Sequence, residues 1–260
     1  MSVTIITTLH EDGYNLYGKD FVSTWAKFFP ADWNIIYYAE KHIPALPERI
    51  SIIDFNNTCP EWYNFYTHVK QLADLLDPKK DKKSINRLKK ALRWSFKMFT
   101  LKHALENSQS RYIMWLDSDV RADKVPPNNW IENTLENQAI AGQLEHVKGF
   151  PHVETGLVLV DCWHADITKI IDWIDLGYNQ KKILDEPKPW DGAWIGKLFE
   201  SKEVACKKIK ILQHDRGDKG SHARAFSDPS LNWLVHKVGD HKFVDGFSGR
   251  SGRTVDSELI

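Results

Sequence analysis

The chain has 260 residues, 42% of them hydrophobic, with 35 basic and 35 acidic side chains. That length holds one large domain or two small ones, and the composition is that of a globular protein rather than a disordered or fibrous one. A net charge of zero gives no global field for nucleic acid, so such binding would need a local patch.

Val3–Leu9 is a short β-branched run that reads as a buried strand ending at His10-Glu11-Asp12-Gly13. Phe21, Val22, Trp25, Phe28 and Phe29 keep helical spacing and stop at Pro30. Trp33–Ala39 and Ile50–Phe55 read as further strands, and 61–76 as a helix with Leu72, Leu75 and Leu76 on one face. Ser84–Leu105 is a long amphipathic helix, and Arg111–Leu116 is an apolar strand running directly into Asp117-Ser118-Asp119. Strands are expected at Ala139–Leu144, Gly156–Val160 and Lys208–Leu212, with helices near His164–Leu176 and Ala193–Phe199. Residues 214–229 read as a polar, glycine-bearing loop, 1–247 as one domain and 248–260 as a loose tail. Strands alternating with helices predict an α/β fold, a mixed, mostly parallel sheet flanked by helices.

Cys59, Cys162 and Cys206 stand far apart and form no C-x-x-C pair, which argues against a thiolate zinc site and fits a reducing compartment. The chain begins without the basic and apolar regions of a signal peptide, and no apolar run approaches a membrane span, so a cytoplasmic location is expected. Eleven tryptophans either fill the core or include stacking platforms for flat rings and sugar faces.

In an open α/β sheet, ligands bind beyond the carboxyl ends of the strands, where Asp117 and Asp119 fall. With 22 aspartates in the chain, chance alone generates roughly two D-x-D pairs, so position rather than spacing gives this one weight. Two hard carboxylates at a sheet edge suit Mg²⁺ or Mn²⁺, which bridges a diphosphate; the plainer role is capping a turn or helix. Lys79, Lys80, Lys82, Lys83, Arg87, Lys89, Lys90 and Arg93 form a basic run, either a solvated face or a surface for an anionic acceptor, lipid or nucleic acid.

The segment Tyr112–Val120 resembles the D-x-D motif of GT-A nucleotide-sugar glycosyltransferases, and three later segments follow in the order of that class. Residues 154–161 (ETGLVLVD) resemble the strand lining the sugar site, although Glu154-Thr155 stands where Asn-Ser is usual. Residues 190–194 (WDGAW) resemble the acidic motif starting the helix beneath the transferred sugar, and 236–242 (HKVGDHK) match the H-x-x-G-x-x-K pattern of the glycogenin and lipopolysaccharide galactosyltransferase-like family. Phe243 replaces the proline that usually follows that lysine.

The resemblance implies a metal-dependent transferase with Mn²⁺ (or Mg²⁺), a nucleotide-diphosphate sugar as donor, UDP-sugar first, and a glycan or other hydroxyl-bearing acceptor, with the anomeric configuration retained. It implies metal ligation by Asp117, Asp119 and His236, and diphosphate contacts from Gly239 and Lys242. Asp117 would also reach the ribose. Asp191 and Glu154 would face the sugar, with Asp191 holding hydroxyls or, in an inverting enzyme, acting as base. Thr7, Thr8, His10 and Tyr14 (or Tyr17) would meet the base and ribose, and Arg93 and Lys97, one helical turn apart, would approach the donor. Arg250 and Arg253 would fold over the diphosphate or stay in the tail. A nucleotidyltransferase would need a glycine-rich basic loop after the first strand, where this chain has acidic Leu9–Gly13. A phosphoesterase with two metals would need more ligands than one carboxylate pair and one histidine. A non-catalytic nucleotide-sugar-binding module remains a rival that only turnover distinguishes.

Overall fold

The computed structural model describes residues 2–40, 45–147, 149–209 and 229–236. β1 (Val3–Leu9) leads into a helical turn α1 (Glu11–Gly13), a π-helical turn (Tyr14–Gly18) and α2 (Lys19–Phe28). β2 (Trp33–Ala39) and β3 (Ile50–Asp54) follow; the Asp54 carboxylate then caps the short α3 (Phe55–Thr58) by accepting from Asn56 N at 2.8 Å and Asn57 N at 3.2 Å. That cap ends the strand one residue earlier than its apolar pattern suggested.

α4 (Glu61–Asp74) and the 26-residue α5 (Lys82–Asn107) precede β4 (Tyr112–Leu116), β5 (Val120–Ala122) and α6 (Trp130–Leu135). β6 (Ile140–Val147) and β7 (Phe150–Asp161) form a long hairpin, with Gly149 at φ 77° in its turn, a backbone region that favours glycine. α7 (Ile167–Tyr178), α8 (Asp191–Ser201), β8 (Cys206–Lys208) and β9 (Leu234–His236) complete the order.

Seven strands make one mixed sheet in the order β3-β2-β1-β4-β7-β6-β8. β3, β2, β1 and β4 run parallel, β7 is antiparallel to both β4 and β6, and β8 is parallel to β6. The alternating side chains of the buried strands serve two cores. Ile6, Tyr38, Ile113 and Trp115 pack under α4, α5, α7 and α8, whereas Ile5, Tyr37, Tyr112 and Met114 face α2 and α6. Most of the tryptophan load is core: Trp25, Trp62, Trp115, Trp130, Trp194 and Trp233 are all buried, while Trp163 is 70% exposed.

Leu116 of β4 pairs with Leu157, so the first half of β7 extends past the end of β4. Beyond that end, β5 pairs with β9 in a separate two-stranded ladder. The strand expected over Lys208–Leu212 is observed as Cys206–Lys208, and its positions from 210 onward lie outside the described residues. Among the described residues no helix is long and apolar enough to cross a membrane.

Candidate active site

β4 is buried along its whole length and delivers Asp117 to a turn, where Asp117 N donates to Gly156 O at 2.9 Å and Val120 N donates back to Asp117 O at 2.9 Å. These backbone bonds tie the D-x-D turn to β7 and start β5. From the neighbouring helix, Lys97 enters the same spot although α5 is strongly basic on its outer face. Its side chain is 6% exposed, with Nζ 2.7 Å from Asp117 Oδ1 and 3.0 Å from Asp191 Oδ2. The ammonium also donates to Thr155 O at 3.1 Å and Thr155 Oγ1 at 3.0 Å.

Asp191, the first residue of α8 and 3% exposed, accepts the Thr155 hydroxyl on Oδ2 at 2.5 Å. The Trp115 indole donates to Asp117 Oδ1 at 2.7 Å, and the rings of Trp94 and Trp115 lie 5.4 and 5.2 Å from the Lys97 ammonium. Burial acts to lower the Lys97 pKa, but the charges and hydrogen bonds of Asp117 and Asp191 outweigh it and hold the amine above its ordinary range. A buried cation satisfied by two carboxylates and two further acceptors is a fixed charge, and it sets the positions of both aspartates.

This constellation unites three of the segments singled out in the sequence: the D-x-D turn, the start of the ETG strand and the WDG helix. Asp119 is 8% exposed, and the residue after it, Val120, pairs with His236 across the β5–β9 ladder. The backbones carrying the two remaining expected metal ligands are thereby brought side by side, although they are 117 positions apart in the chain. Glu154 Oε1 accepts from Gly156 N at 3.2 Å, which fixes the same bend that receives Asp117.

Two residues of this cluster escaped the sequence reading. Thr155 and Trp115 carry no charge, and only their hydrogen bonds to Asp191 and Asp117 mark them. Thr155 stands beside Glu154 in the ETG segment, where the ionisable residue is the one a sequence pattern singles out.

The residues expected to meet the nucleotide lie at and just beyond the end of β1. Thr7 is fully buried within β1, and Thr8 donates to Tyr38 O at 2.8 Å and Glu40 Oε1 at 3.0 Å. His10 caps α1 by accepting from Gly13 N at 3.1 Å. Tyr14 is 4% exposed, gives its hydroxyl to Ala45 O at 2.8 Å and meets Tyr37 edge-on. Its ring is therefore packing material under the β1 end rather than an open platform. Tyr17 is half-buried against Phe21. Arg93 is exposed while Lys97 is buried, although the two stand one helical turn apart. Gly239, Lys242, Arg250 and Arg253 lie outside the described residues, as do 214–228 of the expected loop and the 248–260 tail.

No protein-family model matches the chain, and no curated protein matches it in sequence. Solved structures do. The apo form of mouse xyloside xylosyltransferase 1 superposes with a TM-score of 0.53 at 10% identity, over 91% of this chain and 97% of that one. The glycosyltransferase GlyE of Streptococcus pneumoniae TIGR4 gives 0.52 at 14% identity over 98% of this chain. This chain has a GT-A-like glycosyltransferase fold. It spans 59% of the GlyE chain, so GlyE carries further structure beyond the shared GT-A-like part.

In that GT-A-like frame the Lys97 cluster sits at the carboxyl end of β4, where an open α/β sheet presents its ligand site. Two aspartates and an imidazole are a donor set that Mn²⁺ accepts readily. Trp115 and Lys97 already occupy Asp117 Oδ1, which leaves Oδ2 as the oxygen for an outside ligand. Among the described side chains no group of three His, Cys, Asp or Glu converges, His236 being placed by its backbone.

Proposed function

We propose that the protein is a metal-dependent glycosyltransferase that moves a sugar from a nucleotide-diphosphate sugar, a UDP-sugar first among candidates, to a hydroxyl of a glycan-type acceptor. The observation that carries this is the buried Lys97, held between Asp117 of the D-x-D turn and Asp191 of α8. Likeness to the two solved structures carries the fold; this cluster carries the chemistry.

In the transfer, the anomeric carbon–oxygen bond to the diphosphate breaks and the nucleoside diphosphate keeps the electron pair. A bond forms from the acceptor hydroxyl oxygen to that carbon, and the hydroxyl proton passes to the departing phosphate or to solvent. Asp119, His236 and Asp117 would hold the divalent ion, which when bound supplies Lewis-acid neutralisation of the diphosphate. Lys242 and Gly239 would meet the phosphates. Asp191 gives Oδ2 to Lys97 and Thr155, so its part is to hold sugar hydroxyls through Oδ1 rather than to remove a proton. That assignment fits retention of the anomeric configuration, as the motif resemblance implied.

The test is a thermal-shift panel of UDP, GDP, CDP and ADP, each with and without Mn²⁺. A ligand at one hundred times its Kd stabilises the native state by about 2.7 kcal/mol. The expected result is stabilisation by one diphosphate only with Mn²⁺, absent in Asp119→Ala. Nucleotide binding that ignores both the ion and Asp119 would sink the metal-dependent reading.

A further inference from the structure

Next to the Lys97 cluster lies a group of side chains that the transfer itself does not use. Trp190 immediately precedes Asp191, and two ammonium groups approach its ring: Lys90 of α5 and Lys188 of the preceding loop, each 5.6 Å from the ring centroid. Lys188 also lies 5.0 Å from the Phe150 ring, which Lys197 of α8 approaches at 5.8 Å. Lys197 is neutralised by Glu186 at 2.5 Å. The His152 ring meets Trp190 edge-on at 6.3 Å.

Two polar atoms in this group are buried with no hydrogen-bond partner among the described residues, Trp190 Nε1 and His152 Nδ1. Buried polar atoms in folded proteins nearly always find a partner, so an indole N–H left without one points to a ligand oxygen. The cations around it set the sign of that ligand, because ammonium groups drawn to an indole face can also receive an anion.

The position is equally informative. Phe150 and His152 belong to the part of β7 that runs past the end of β4, on the side where the Asp117 turn lies. Along α5, Lys90, Trp94 and Lys97 follow i, i+4, i+7 spacing and share one face. The backbone of Lys90 is thus about 10 Å along the helix from that of Lys97.

We propose that Trp190, His152, Lys90 and Lys188 form an acceptor subsite that takes an anionic sugar, a phosphate- or carboxylate-bearing residue next to the one that is glycosylated. This rests on the glycosyl-transfer reading and adds to it the chemical class of the acceptor.

The test uses ¹⁹F NMR of the full chain labelled with 5-fluorotryptophan, with the Trp190 resonance identified by its loss in Trp190→Phe. Glucose 6-phosphate, glucuronate and glucose are titrated at fixed ionic strength into wild type and into the double variant Lys90→Gln/Lys188→Gln. The expected result is a saturable shift of the Trp190 resonance with one or both anionic sugars and none with glucose. In the double variant the apparent affinity should fall about tenfold, as for the loss of two partly exposed charge contacts. Comparing the two anionic sugars tells phosphate from carboxylate.

An equal response to glucose, or no response to either anion, would overturn the subsite. So would loss of Mn²⁺-dependent nucleotide binding in the double variant, because the lysines would then belong to the donor diphosphate. If instead wild type shows the sugar-anion shift but binds no nucleotide with Mn²⁺, the subsite stands and the donor reading fails.

Discussion

At the scale of single residues, Lys97 organises the site, and its removal is the sharpest test of that role. Replacing it by Met keeps the length of the side chain and deletes the charge, which leaves Asp117 and Asp191 facing each other across a buried gap. Breaking a buried ion pair by removing one partner costs about 3–5 kcal/mol, because the uncompensated charges stay out of water. We expect Lys97→Met to lower the urea midpoint by a corresponding amount and to abolish turnover. Adding Asp191→Asn to that variant removes one of the stranded charges and should recover part of the stability but none of the activity. If Lys97→Met unfolds at the same urea concentration as wild type, the three groups do not form a coupled buried unit.

Among elements, α8 shows how the chain secures that geometry. A Cβ on Gly192 would stand 2.5 Å from Val153 O, and one on Gly196 would stand 2.7 Å from the Pro151 carbonyl. These are backbone atoms that have little room to give, so the two glycines are what let α8 lie directly on β7 and carry Asp191 to Lys97. Gly192→Ala should therefore cost about 1–3 kcal/mol as an overpacked contact and displace the Asp191 carboxylate. A calorimetric melt reads the first effect, and weaker stabilisation by nucleotide with Mn²⁺ reads the second; a variant unchanged in both would refute this account of α8. The long buried strands and the amphipathic α5 were legible in the sequence because local periodicity defines them. β5 and β9 were not, since three-residue strands 112 positions apart along the chain have no local signature and exist only through their mutual pairing. The first half of β7 was missed for a related reason: FPHVET has no apolar run, and it is a strand because β6 pairs with it. Likewise the charged members of the site could be read from motifs, while Thr155 and Trp115 became visible only through their hydrogen bonds.

For the molecule as a whole, the interior holds many groups that resist deprotonation, and together they set the alkaline limit of stability. Burial pushes the thiols of Cys59, Cys162 and Cys206 up to about 12 from 9.0. Burial likewise raises the phenols of Tyr37, Tyr38 and Tyr178, and the Asp117 and Asp191 charges raise Lys97 against the opposing effect of its burial. Every one of these folded-state values lies above its unfolded counterpart. Their stabilising contribution is then complete below the unfolded pKa values of 9.0 for Cys, 10.0 for Tyr and 10.5 for Lys, and is lost as pH climbs past them. In that range the unfolded chain has released protons that the native state still holds, so stability falls with pH. Urea midpoints should therefore owe no change to these groups between pH 7 and 8 and drop progressively above about 9, where the first of these groups ionises in the unfolded chain. In Lys97→Met the decline above pH 10 should be shallower than in wild type, because the gap between the two narrows once the lysine titrates in the unfolded state. Parallel curves for the two proteins would mean that Lys97 does not carry its charge into the folded core.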